Sequence, residues 1–308
     1  FHPLLLGGAE WYVYNVSREL VRRGHEVHVY TTNDQRLSGG SLPEEEVVEG
    51  VHVHRLPLKL NLTYRVKVWR GLKERLLQED FDIIHTYDYG QHHSYVAAGV
   101  GKSVETPVAL TVFDVHSLIP RPLYKRLPMR LFDRYLAKYV MRRVDRVLIR
   151  APTLLNPLIE MGVEEEKIRI TPSGIVEDAL KPGDKHAFLE EFGISGGPII
   201  LYLGRIHPSK GLQHLIMAAP AILFAYPDAR FVLVGPNQGN YRSKLLRLAE
   251  KCYVRDHIIF TGPIYDFKMK MGAYAAADVF VMPSSYEGTS QSAFEAMAQA
   301  RPIVASNR

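Results

Sequence analysis

Two glutamates with seven residues between them dominate the segment PSSYEGTSQSAFEAMAQARPIVAS, residues 283–306. An apolar run ends at Met282, a polar loop carries Glu287, and Thr289 or Ser290 opens a helix whose second turn holds Glu295. Serine and threonine suit that opening because their hydroxyls accept the orphan amides of a first helical turn. The amides left over, with the positive end of the helix dipole, form an anion pocket suited to a diphosphate. Beside it, the two carboxylates could accept hydrogen bonds from vicinal hydroxyls, as an acidic residue does for ribose in dinucleotide folds. The same pattern also describes two solvated glutamates flanking an ordinary loop.

The cations that such a pocket needs stand in LYLGRIHPSKGLQHLI, residues 201–216. An apolar strand ends at Gly204, Arg205 and Lys210 bracket a short loop, and Gly211 precedes the next helix. Arg and Lys at a strand's carboxyl end could neutralise a pyrophosphate leaving group without a metal. In LLLGGAEWYVYNVSREL, Gly7 and Gly8 come just before a helix, where they allow close backbone approach to a ligand. A ligand-free tight turn explains that pair equally well. Other patterns are decoys. Gly101-Lys102-Ser103 resembles the tail of a P-loop, but the required earlier glycine is Val96. His85, His92 and His93, with Asp88 among them, lack metal-site helical spacing and are expected to be structural. No GxSxG elbow of a serine hydrolase occurs.

These residues need a scaffold, and the chain supplies one repeatedly. Short β-branched runs alternate with amphipathic stretches. Expected strands are Glu26–Thr32, Val51–Leu56, Asp82–His85, Pro107–Val112, Arg146–Ile149 and Lys167–Ile170. In the second half they are Ile199–Leu203, Arg230–Val234, His257–Thr261, Asp278–Met282 and Ile303–Ser306. Helices are expected at Ala9–Arg23, capped by Gly24, and near 209–226, 239–253, 267–276 and 289–300. Strands alternating with helices imply parallel sheets covered on both faces. The stretch TPSGIVEDALKPGD, 171–184, has no periodicity and reads as a connection. The expectation is an α/β chain of two Rossmann-like domains, 1–174 and 185–308, joined by a linker at 175–184.

Bulk properties agree with this. At 308 residues the chain is long for one core, and 46% apolar with 23% charged residues is ordinary globular composition. No apolar run reaches membrane-spanning length, and no secretory signal pattern is visible. The single Cys252 suits a reducing, cytoplasmic setting. No nucleic-acid motif appears. Between Arg121 and Arg146, nine Lys/Arg face two Asp, with Leu131, Phe132, Tyr135, Leu136, Tyr139 and Val140 at helical spacing. That segment reads either as an ordinary surface helix or as a peripheral contact with an anionic membrane. No strand precedes Gly7-Gly8 and the sequence stops just after a strand, so residues are expected to be missing at both ends.

Taken in order, these segments resemble the retaining glycosyltransferases of family four, which have the GT-B fold with an interdomain cleft. The paired glutamates of that family match Glu287-Gly-Thr-Ser-Gln-Ser-Ala-Phe-Glu295. The resemblance extends over GGAE (7–10), RGHEVHVYT (23–31), DIIHTYD (82–88), KIRITPSGI (167–175), LGRIHPSKG (203–211), FVLVG (231–235), IIFTG (258–262) and EAMAQARPIVAS (295–306). It implies a nucleotide-diphosphate sugar as donor and no cofactor or essential metal. Arg205 and Lys210 would bind the diphosphate, completed by amides after Gly288 (Thr289, Ser290) and by close approach of Gly8. Glu295 would hold the ribose, and Glu287 would contact the sugar near its reacting carbon. The first domain would bind the acceptor: a glycan, a lipid-linked sugar or a sugar phosphate. Three positions depart from the family. Phe113 stands where a sugar-contacting histidine is usual, with His116 three residues on. Gly-Thr-Ser follows Glu287 where Phe-Gly is common. Ala300 replaces a helix-ending glycine, at a cost of about 1 kcal/mol if the left-handed conformation persists. A sugar phosphorylase or epimerase on the same fold, or a nucleotide-sugar-binding module without catalysis, are the competing readings. Asp88, Phe113 and His116 are the candidate acceptor or sugar contacts.

Overall fold

The computed structural model describes residues 8–33, 42–61, 67–115, 127, 131–132 and 137–307. The chain divides into two compact units, Phe1–Ser173 and Gly174–Arg308.

In the first unit, helix α1 (Gly8–Arg22) is followed by β1 (His28–Thr32), β2 (Glu45–Val48) and β3 (Val51–Leu56). Strands β1 and β3 pair in parallel, and β2 adds antiparallel to β3. A small hairpin, β4 (Leu58–Asn61) and β5 (Lys67–Trp69), leads to α2 (Leu72–Gln78). Then come β6 (Ile84–Tyr87), α3 (His92–Val104), β7 (Val108–Val112), α4 (Ala137–Met141), β8 (Arg146–Ile149), α5 (Leu155–Glu160) and β9 (Ile168–Ile170). Strands β6 to β9 make a four-stranded parallel sheet in sequence order. Its core is continuous: Leu110, Val112, Val147 and Ile149 are fully buried beneath Ala97, Ala98 and Val140 from α3 and α4. All five residues of β7 are buried, as expected of a central parallel strand covered on both faces.

The second unit contains α6 (Lys185–Glu191), β10 (Ile199–Leu203), α7 (Leu212–Ala225), β11 (Arg230–Val234) and α8 (Tyr241–Lys251). It continues with β12 (Ile258–Gly262), α9 (Phe267–Ala276), β13 (Val279–Met282), α10 (Gln291–Ala298) and β14 (Ile303–Ala305). Its sheet has the order β12-β11-β10-β13-β14, parallel throughout. Alternate residues of β10 feed opposite layers. Ile200 and Tyr202 pack toward α7 and α8, while Ile199 and Leu201 pack toward α6 and α9. The chain runs outward from β10 to β12, then returns to the other side of β10 with β13. That reversal creates a crevice outside the carboxyl ends of β10 and β13, where doubly wound sheets bind ligands.

Most expected elements form within one or two residues of their bounds. The strand expected at Asp82–His85 forms at Ile84–Tyr87, because pairing with β7 begins when the Ile84 amide donates to Pro107 O (2.9 Å). Asp88 therefore directly follows the strand, with φ 62. The hairpin strands β2, β4 and β5 were not expected. The segment expected as a linker is held against the second unit. Gln299, 7% exposed, donates through Nε2 to Ala179 O and Lys181 O (2.7 Å each) and accepts at Oε1 from the Gly183 amide (3.0 Å). Gly101 of the P-loop decoy is a packing glycine, since a Cβ there would lie 2.2 Å from a Val108 methyl. Among the described residues, no helix is long and apolar enough to cross a membrane. Within the basic stretch, residues 121–126, 128–130 and 133–136 lie outside the described residues, as does His116.

Two helix ends follow the expected chemistry. After α1, Gly24 (φ 89) donates to Val21 O (2.9 Å) and His25 to Leu20 O (3.1 Å), a Schellman cap. After α10 the same bond pattern runs from Ala300 to Met297 O and from Arg301 to Ala296 O (2.9 Å each), with Ala300 at φ 53. An alanine here bears the left-handed strain that glycine avoids. Ala300→Gly is therefore expected to stabilise the second unit by about 1 kcal/mol, seen as a higher urea midpoint. A lower midpoint would show that glycine's greater entropy loss outweighs the strain.

Candidate active site

Strand β10 delivers Arg205 to its carboxyl end, exposed and followed by Ile206, which bridges to Asn237. The Tyr202 hydroxyl, buried and raised in pKa first by that burial and then by the Glu287 charge, donates to Arg205 O (2.8 Å) and pins the turn. A single 3₁₀ turn, Pro208–Lys210, follows. Its cap is His207, whose Nδ1 accepts from the Ser209 amide at 3.2 Å. Strand β13 delivers the second loop, 283–290. The two loops are joined: the Ser285 amide donates to Ser209 O (2.9 Å), and a Cβ on Gly211 (φ 66) would lie 1.9 Å from Pro283 O. Only glycine permits that approach.

Through this junction Lys210 reaches Glu287, with Nζ to Oε2 at 2.6 Å and side chains 15% and 22% exposed. A charge-assisted bond this short and this sheltered is stronger than an open surface pair. Helix α10 begins as expected: Ser290 is its N-cap, accepting from the Ala293 amide (3.4 Å). Among the described residues no hydrogen bond engages the amides of Gly288, Thr289 and Ser290. They lie in the loop that carries Glu287, at the positive end of the α10 dipole.

Glu295 has a different setting. It is 3% exposed, and its two oxygens accept from Lys270 Nζ (2.8 Å) and the Tyr274 hydroxyl (3.0 Å), both on α9. The structure thus brings Lys210 and Glu287 into contact and sets Arg205 beside them, while Glu295 is engaged by α9. Sequence reasoning missed Lys270 and His207. Lys270 sits one helical turn beyond the N-cap Asp266, a position that reads as solvated surface. His207 stands directly before Pro-Ser, the place of a capping acceptor, which was its one visible signal.

In the first unit, Asp88 is held in the left-handed region, its amide donating to Thr111 O (2.9 Å) and its carbonyl accepting from Ser94 Oγ (2.8 Å). Phe113, after β7, stacks on Tyr87 with centroids 6.1 Å apart and meets Tyr12 edge-on at 5.8 Å. Gly8 opens α1, and a Cβ there would meet no described residue within 4 Å. The three histidines are committed within the fold. His85 bonds Thr111 Oγ1 (2.8 Å) and burial pushes it down to about 4; His92 accepts from the Trp69 amide; His93 contacts Tyr87 O. Among the described residues no three His, Cys, Asp or Glu side chains are grouped to share a metal ion.

Two measurable consequences follow from the loop junction. Gly211→Ala introduces both left-handed strain and a clash, so stability should fall by more than about 2 kcal/mol in urea unfolding. A change within about 0.5 kcal/mol would disprove the close approach. Burial, then the Arg205 and Lys210 charges, lower the His207 pKa. Its capping bond needs the neutral ring, so its stabilisation is complete above an unfolded value of about 6.5 and disappears as pH falls through the depressed folded value. His207→Asn keeps an acceptor that does not titrate, and its urea midpoint should therefore decline less than the wild type's on acidification below about pH 6.5. Parallel declines would remove His207 from the cap.

Comparison with known proteins agrees with this arrangement. The family model for Glycosyltransferase Family 4 matches residues 6–179, and that for Glycosyl transferases group 1 matches 184–308. An uncharacterized glycosyltransferase, MJ1607, of Methanocaldococcus jannaschii is 29% identical, covering 100% of this chain and 78% of that protein. D-inositol 3-phosphate glycosyltransferase of Nocardia farcinica is 26% identical over 98% of this chain and 70% of its own length. Among solved structures, sucrose-phosphate synthase from Thermosynechococcus elongatus superposes with TM-score 0.72 at 23% identity, covering 98% of this chain and 76% of that one. Anabaena Alr3699/HepE in complex with UDP-glucose gives TM-score 0.73 at 17% identity, covering 97% and 77%. These structures share the GT-B fold of two Rossmann-like domains.

Proposed function

The chain belongs to Glycosyltransferase Family 4, and from that membership we propose that it moves a sugar from a nucleotide-diphosphate donor to an acceptor hydroxyl, with retention and without an essential metal. The observation that carries this reading is the contact of Lys210 with Glu287 at the sheet's reversal point, beside the exposed Arg205. A diphosphate arriving there meets two cations and the unengaged amides of Gly288, Thr289 and Ser290. These groups stabilise the charge that develops on the leaving diphosphate, the work a divalent ion performs elsewhere.

Lys210 is neutralised by Glu287 while no donor is present. The diphosphate competes for Lys210, which frees the Glu287 carboxylate to face the sugar near its reacting carbon. The ion pair thus keeps both groups in place without leaving either charge unpaired. Glu295 reads as the ribose contact. Lys270 and Tyr274 take one lone pair on each of its oxygens, and the remaining lone pairs can accept the ribose hydroxyls. Gly8 has no described residue within 4 Å of where a Cβ would stand, which supports close approach of an α1 amide to a phosphate. Alr3699/HepE has been crystallised with UDP-glucose, which supports a uridine diphosphate sugar as the first donor to try. Asp88 and Phe113, at the first unit's strand ends, are the proposed acceptor-side contacts.

A nucleoside diphosphate bound by the native state raises the melting temperature, so UDP, GDP and ADP sugars should be screened that way. The preferred donor should then support transfer. Lys210→Ala and Glu287→Gln should each lower turnover by roughly a hundredfold or more with the fold intact by circular dichroism. Full activity in both variants would defeat the assignment.

A further inference from the structure

One cation in the first unit has no structural explanation. Arg150 directly follows β8, at the same sheet edge as Tyr87, Phe113 and Asp88, and only 8% of it is exposed. Its guanidinium lies over two aromatic faces, 4.9 Å from the Tyr12 ring centroid and 5.4 Å from that of Phe113. Its Nε donates to Ser173 Oγ, while Nη2 is buried and has no hydrogen-bond partner among the described residues. Burial lowers its pKa, and the Tyr12 and Asp114 groups oppose that shift only through their charge. A buried guanidinium normally finds a carboxylate fork, because leaving its donors empty is costly. Here two aromatic rings lie against the guanidinium, Nε is taken by Ser173, and Nη2 is left without a partner.

The unpartnered Nη2 limits the chemistry that can meet it. Aromatic rings attract a cation through its charge and do not consume its N–H groups, so Nη2 keeps both of its own. A guanidinium N–H pair makes strong charge-assisted hydrogen bonds to phosphate oxygens. The position is the carboxyl edge of a parallel sheet, where such folds receive ligands. Tyr12, Tyr87 and Phe113 form an aromatic wall beside the guanidinium and supply the apolar surface on which a sugar or polyol ring can rest.

We propose that Arg150 is a specificity-determining residue for a phosphate-bearing acceptor, binding the phosphate of a sugar or polyol phosphate through its unpartnered Nη2. The proposal rests on the glycosyl-transfer reading for the name "acceptor", but the anion site itself does not. The phosphate belongs either to a soluble monoester, with three terminal oxygens, or to a lipid phosphodiester, with two, and either can accept from Nη2.

The test uses the full chain carrying Arg205→Ala and Lys210→Ala, so that the second unit's cations do not report. Glucose 6-phosphate and glycerol 3-phosphate are titrated calorimetrically, with glucose and glycerol as uncharged controls. Phosphatidylcholine vesicles with and without phosphatidylinositol form the lipid arm. Binding of a phosphate ester, or of phosphatidylinositol vesicles alone, is expected, with competition by inorganic phosphate. Arg150→Met should weaken that binding ten- to a hundredfold, and Arg150→Lys should restore only part of it. The melting temperature of Arg150→Met without ligand should match or exceed that of its parent, since an unpaired buried charge has been removed. Unchanged affinity in Arg150→Met, no binding in either arm, or a melting temperature lowered by several degrees would each overturn the proposal. In the chain with Arg205 and Lys210 intact, the rise in melting temperature with UDP reports the donor site separately. Its absence would sink the transfer reading and leave the anion site standing.

Discussion

The donor edge depends on one close approach. Pro283 O occupies the space that a side chain at position 211 would need, and the Ser285 amide reaches Ser209 O across the same gap. Two loops from neighbouring strands are thereby joined into one surface. Their strands are neighbours because the sheet reverses direction between β10 and β13. The loop after β10 is also tied to the one after β11, through the Ile206 amide and Pro236 O (2.9 Å), but at the reversal point the helices leave to opposite faces of the sheet. There a lysine and a glutamate 77 residues apart meet at 2.6 Å.

That contact explains how a site rich in charge survives without its ligand. Opposite charges attract, and a half-buried setting keeps solvent from screening them. Lys210 and Glu287 satisfy one another, and Lys270 and Tyr274 do the same for the almost fully buried Glu295. Arg205 needs no partner because water reaches it. Arg150 alone among these groups combines burial with an unfilled donor, which separates it from the rest of the ionic architecture. The two sheet edges therefore differ in kind: the second unit's sheltered charges are paired off and Arg205 is left to solvent, whereas the first unit keeps a buried cation against aromatic rings.

Much of the scaffold was legible in advance. Every expected strand of the second unit forms within two residues of its bounds, because buried parallel strands are short apolar runs with turn residues at both ends. The αL cap at Gly24 was legible too, since a helix that stops must satisfy its last carbonyls in one of few ways, whereas the one at Ala300 was raised only as a condition by the family resemblance. The hairpin strands β2, β4 and β5 escaped notice. Runs such as EEVV and LKLN are too short and too polar to carry a period, and their pairing depends on the strand beside them.

By itself, then, the order of residues determined which side chains stand at strand ends, since periodicity sets where each strand stops and a loop begins. It named Arg205, Lys210 and Glu287 on that ground, and Glu295 from its place in the helix that follows. Only the tertiary structure decided their partners. Pairing depends on which strands lie side by side and on how far each side chain sits from water. Glu287 faces Lys210 across the reversal point, Glu295 turns into α9, and Arg150, which reads as a surface charge after a strand, is enclosed by Tyr12 and Phe113. Distances between residues far apart in sequence, and the burial that sets the strength of their charges, come from packing, which no local pattern encodes.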